Sequence, residues 1–182
     1  MDADVTLFSA RSLQTMFHGI LLSGGAVVGL AIALFSLLVM GPATGEPGPG
    51  VRQSRWVSAV LVFTALALWL VVISGTYVIF SPYRATPPAG AASLGPYPRA
   101  LLLSNPNTAW LHAFAMECKE HMPWIAAMLT TAAAFVSTRH RSTVLSDVSL
   151  RPMMITLVSI AFALASFIGL LGIFVNKAAP LQ

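Results

Sequence analysis

The stretch HAFAMECKEHMPWIAAMLTTAAAFVST, residues 112–138, is charged in its first third and apolar in the rest. His112, Glu117, Lys119, Glu120 and His121 crowd its start, and from Met122 to Thr138 there is no charged side chain. Charges are costly in hydrocarbon, so the depth of the cluster controls how this segment can sit in a membrane. Counting about 20 residues back from Thr138, at about 1.5 Å each, puts the boundary near Lys119. His121 then falls just inside the outer edge, Glu117 and Glu120 at it, and His112 well outside. The stretch reads as a membrane helix with a polar outer turn.

Three further apolar runs flank it: Gly19–Met40, Trp56–Phe80 and Met153–Val175. Each of the four reaches the roughly 20 residues that cross about 30 Å of hydrocarbon as a helix. The alternating segments of about ten residues that mark membrane strands are absent. The chain is 57% hydrophobic and only 9% charged, whereas a soluble domain carries about 25% charged residues. Polar side chains cannot cover its surface. The expected fold is an all-α integral membrane protein, one domain over 1–182, with four transmembrane helices in a bundle. The helices run about 14–40, 56–80, 107–139 and 152–176, with a long Pro-rich outer loop at 81–107.

The first run is too long for the core of a cleaved signal peptide, and Asp2 and Asp4 precede it. Lone Cys118 excludes an internal disulfide. The pI of 9.8 comes from basic residues scattered over helix ends and loops, which argues for topology signals and against nucleic acid. Arg52 and Arg55, and then Arg139, Arg141 and Arg151, lie on the short links. The bias places those links in the cytoplasm and both termini outside, in a multi-pass protein of the cell (inner) membrane.

Between the first two runs, Met40 to Gly50 is a breaker-rich turn. From Ser81 to Thr108 the six prolines at 82, 87, 88, 96, 98 and 106 argue against helix. Leu101-Leu102-Leu103 puts this loop on the membrane surface or under a partner. Gly25-x-x-x-Gly29 and Ala165-x-x-x-Gly169 suggest close packing of the first and last helices. Pro123 should kink the third beside His121.

His18, followed by Gly19, Gly24 and Gly25, lies at a depth near that of Glu117. A b-type haem needs two imidazoles from facing helices at matched depth, with small residues beside the porphyrin. His18 is one candidate ligand, and His121 or His112 the other. The latter two are about 180° apart on an α-helix, so only one can face His18. His121 is preferred because matching His112 would drag Lys119 and Glu120 into hydrocarbon. A di-iron site lacks its second Glu-x-x-His set. A single metal held by His18, Glu117 and His121, or copper on the nearby Met and Cys118 sulfurs, are weaker fits. Glu117, Lys119 and Glu120 could pair loosely with one another.

No P-loop, dinucleotide-binding glycine pattern or nucleophile elbow occurs, so a subunit is expected rather than an enzyme in its own right. Two functions remain. One is an electron-transfer subunit of a larger membrane complex, holding haem b or a quinone in the outer half of the bundle, with Glu117 and Glu120 tuning it. The other is an accessory subunit that docks other membrane subunits or a periplasmic one through the helix-three cluster and outer loop.

Overall fold

The computed structural model describes residues 10–40 and 49–180. The turn read at 40–50 lies mostly outside them, as do Asp2, Asp4 and Glu46. All regular structure among the described residues is helical. Helix α1 comprises Ala10–Met16, the π-helical Phe17–Gly24 and Gly25–Val39. Helix α2 runs through Pro49–Ser74, π-helical Gly75–Ile79 and Phe80–Tyr83. A short α3 follows at Pro98–Leu103. Helix α4 joins Pro106–Trp110, π-helical Leu111–Met116 and Glu117–Arg139, continuing through Pro123. Helix α5 is Leu150–Ala178.

Helix α1 packs on α2 and α5, and α4 packs on the same two. Their shared core takes one stripe from each: Ala26, Leu30, Ala33 and Leu37; Val57, Leu61, Ala65 and Leu68; Ala127, Ala133 and Ala134; Met154, Val158 and Ala161. The stripes of α1, α2 and α5 recur at three- and four-residue steps, the spacing of one helical face, and buried Thr130 fills the step between Ala127 and Ala133 on α4. Large apolar groups fill the opposite faces, Phe63 being 73% exposed and Phe135 69%. An outer surface of that kind suits lipid.

Among the described residues, three helical segments are long and apolar enough to cross a membrane: Ser12–Val39, Arg52–Tyr83 and Leu150–Ala178. Helix α4, read from sequence as the fourth span, is not among them. Thr130, Thr131, Ser137 and Thr138 dilute its apolar character, and charges crowd its start. Those hydroxyls do not go unsatisfied. Thr130 and Thr131 donate to the carbonyls of Ala126 and Ala127 at 2.8 and 2.7 Å. The Trp69 indole donates to Thr131 Oγ1 at 3.0 Å. Small and self-bonded, these residues let α4 bury its alanine face closely against its neighbours.

Two packing expectations change. Gly29 does not serve an α1–α5 approach: a Cβ there would strike Thr64 Oγ1 of α2 and lie 3.3 Å from its Cβ and Cγ2. Gly25 and Gly169 have nothing within 4 Å of such a Cβ. The segment after α2 is not free of helix either. Pro98 and Pro106 stand at first helical turns, where proline's missing N–H costs nothing. Asn105 caps the second of these, its Oδ1 accepting from Asn107 N at 2.9 Å. Leu102 is 1% exposed and completes a second core with Tyr83, Leu111, Met116, Leu171 and Val175. The leucine run is thus partly absorbed within the chain.

At the other end of the helices, Arg151 donates to the carbonyls of Leu37 and Leu38 at 3.0 and 3.1 Å, closing the C-terminus of α1. Asp147 Oδ1 accepts from the amides of Ser149 and Leu150 at the start of α5. Those two N–H groups hold its carboxyl below the usual carboxylate range.

Candidate functional site

Three of the long helices change winding near one end of the molecule, and each π-helical segment carries or touches a residue of the site. Such segments are rare and occur disproportionately at functional positions. In the first, Ser23 Oγ donates to the His18 carbonyl at 2.9 Å. His18 is half-buried, its Nδ1 lying 2.8 Å from Ser74 Oγ on α2. Ser74 Oγ is also 2.6 Å from the Leu70 carbonyl, which must receive the hydroxyl's single proton. Ser74 therefore accepts from His18 Nδ1–H, leaving Nε2 as the ring's open lone pair. Gly75 makes this fit possible: a Cβ there would stand 3.1 Å from His18 Cε1 and 3.6 Å from Nε2.

Lys119 is the charged neighbour of His18. Its ammonium lies 3.4 Å from where a Cβ would stand at Gly172 of α5. This corrects the loose pairing expected with Glu117 and Glu120. Among the described residues His121 Nδ1 lies 3.9 Å from a Glu117 carboxylate oxygen, and no ion pair joins Lys119 to a carboxylate. Lys119 is about 200° around the helix from Glu117 and 100° from Glu120, so it turns inward while they turn out.

The other sequence candidates separate. His121 has 73% of its side chain exposed, Glu117 has 68%, and Glu120 is exposed. His121 Nδ1 donates to the Glu117 carbonyl of its own helix at 2.9 Å. His112 stands in the third π-helical segment with its Nδ1 2.9 Å from the hydroxyl of buried Tyr83. No two of the three histidines share a hydrogen-bond partner. Among the described residues, no three His, Cys, Asp or Glu side chains gather to hold a metal, so the single site of His18, Glu117 and His121 is not assembled. Cys118 is buried in the second core beside Met116 and Met122.

The sequence alone does not mark Ser74, Gly75, Tyr83 or Gly172 as partners of these histidines or of Lys119. Ser74-Gly75 is a small polar patch near the end of its apolar run, and nothing along the chain joins it to His18. Gly172 looked like any glycine of an apolar helix.

Burial holds the His112 imidazole below its ordinary value; the Arg99 guanidinium adds to this, and Glu120 and Glu117 oppose it. A histidine with a lowered folded pKa favours folding in its neutral form. That contribution is complete above the unfolded value of about 6.5 and is lost as pH falls from there through the folded pKa. Thermal unfolding in detergent should therefore show stability declining below about pH 6.5, with a shallower decline in His112→Gln. Equal slopes would remove His112 from the account.

No family model, curated protein sequence or solved structure matches this chain.

Proposed function

We propose that this chain is the quinone-binding subunit of an electron-transfer complex in the cell membrane, with the quinone headgroup between His18 and Lys119. The observation that carries the reading is Lys119, a cation turned inward among helix ends with no carboxylate of the described residues beside it and the His18 imidazole as neighbour. A buried charge without a partner is costly unless a ligand supplies one. A quinone ring offers two carbonyl oxygens that accept hydrogen bonds, and its isoprenoid tail belongs in lipid. Bound there, the quinone supplies two-electron, two-proton redox chemistry. Lys119 would donate to one oxygen. His18 Nε2, its tautomer held by Ser74, would accept the proton of the reduced hydroxyl.

In this reading α4 is the fourth span of a four-helix transmembrane bundle. Phe135, Met128 and Ile125 on its outer face support that, all being exposed. The cationic links lie in the cytoplasm and the site in the outer half. Glu117, Glu120 and His121 face outward and would dock a partner subunit that takes the electrons; this is also the surface an accessory subunit would use. Haem b is the rival occupant of the same place. Its support is that His18 keeps Nε2 free, as an axial ligand must. His121 or His112 would have to supply the second bond, and each now holds a different partner.

Solvent extraction of the purified complex should yield an isoprenoid quinone, with a borohydride-minus-oxidised ultraviolet difference spectrum. Extracts without quinone would remove this reading, and a Soret band shifted by dithionite would install haem in its place. For orientation, Ser54 is buried and unsuitable for labelling. Cysteines placed at exposed Arg52 and Ser93 in a Cys118→Ala background should label from the cytoplasm and from outside respectively. The reverse pattern would move the site to the cytoplasmic half.

A further inference from the structure

At the end of the molecule opposite His18, a cleft of about 440 Å³ opens between α2 and the end of α4. Arg55, Ser58, Val62 and Phe63 line it from α2, at steps that keep them on one helix face. Thr138 and Arg141 close the other side. Ser58 Oγ sits 2.9 Å from the carbonyls of both Ser54 and Ser137, tying the two helices together behind the cleft. Neither Arg55 nor Arg141 has a carboxylate within ion-pair distance among the described residues. Arg151, at the same end, is by contrast occupied by the α1 carbonyls. Both lining guanidiniums are exposed, and so are Val62 and Phe63 beyond them. The cleft thus has a cationic mouth and an apolar limb.

We propose that this cleft binds one anionic phospholipid, its phosphate between Arg55 and Arg141 and one acyl chain along Val62 and Phe63. Arginine presents fixed N–H forks that match phosphate oxygens, and two of them discriminate against a zwitterionic headgroup by charge. Basic pockets between membrane helices bind acidic lipids in this way. The apolar limb distinguishes a lipid from free phosphate, which would gain nothing from Val62 or Phe63. The proposal does not depend on what occupies the His18 end.

Delipidated protein in neutral detergent, given phosphatidylglycerol or phosphatidylcholine and read by native mass spectrometry, provides the test. We expect a phosphatidylglycerol adduct that phosphatidylcholine does not form and that inorganic phosphate does not displace. Arg55→Ala with Arg141→Ala should weaken it on the order of tenfold or more, whereas lysine at both positions should keep most of it. Equal retention of the two lipids, full displacement by phosphate, or an undiminished adduct in the double variant would each overturn the proposal. If the alanine pair fails to fold, Val62→Trp, which fills the apolar limb, replaces it. A phosphatidylglycerol adduct as strong as the wild type's in that variant would be equally fatal.

Discussion

Lys119→Met should abolish quinone retention while leaving the chain at least as stable as before. A charge-assisted hydrogen bond is worth roughly 1.5–3 kcal/mol, so its loss weakens binding on the order of ten- to a hundredfold. The effect on the empty protein has the opposite sign. An inward cation with no carboxylate of the described residues beside it opposes folding, and methionine has similar length and no charge to desolvate. We expect a gain on the order of 1 kcal/mol in unfolding free energy, seen as a higher Tm in detergent. Lys119→Arg keeps the charge but needs more room beside Gly172, so it should bind poorly and lose stability. Quinone content and Tm, measured on the same preparations, separate the outcomes. If Lys119→Met lowered Tm and quinone content together, Lys119 would be a structural residue and the proposed site would lose its anchor.

Gly29→Ala should be among the most damaging single-methyl additions in the chain. The added carbon meets Thr64, itself 4% exposed and packed between α1 and α2. Overpacking of this kind costs typically about 1–3 kcal/mol. Gly25→Ala is the internal control: it extends the same helix into open space, so it should be neutral or gain up to about 1 kcal/mol from helix propensity. Thr64→Ala removes the hydroxyl and methyl that obstruct the new carbon, and combined with Gly29→Ala should restore most of the loss. The double-mutant cycle thus has a large coupling term. Additive losses would mean that Gly29 matters for some reason other than its contact with Thr64.

These two variants mark where sequence reading stops. Hydropathy and length alone identify the spans beginning at Ser12, Arg52 and Leu150, because lipid demands long apolar helices whatever their neighbours. The same reasoning found His18 and the charged opening of α4. It could not say which way Lys119 turns, nor that Glu117 and His121 stay outside, because a helix exposes some face at every residue and only its neighbours decide which is buried. Phase was a second obstacle. The wheel that set His112 opposite His121 assumed α-helical winding, and the π-helical Leu111–Met116 shifts every residue before Glu117 against those after it. The prolines after Tyr83 were legible as breakers but not as helix starts, since that role depends on which residue becomes the first turn.

Gly25 and Gly29 fit one motif, yet one meets open space and the other Thr64. Ser74 and His18 are 56 residues apart, and only the packing of α1 on α2 makes them a pair. By itself the sequence determined that the chain is helical, that most of its surface must be apolar, and that its ionisable groups gather at helix ends, all consequences of what hydrocarbon accepts. Tertiary structure decided which of those groups turn inward together, because hydrogen bonds and contact distances between helices depend on rotation, winding and neighbours that local sequence does not encode.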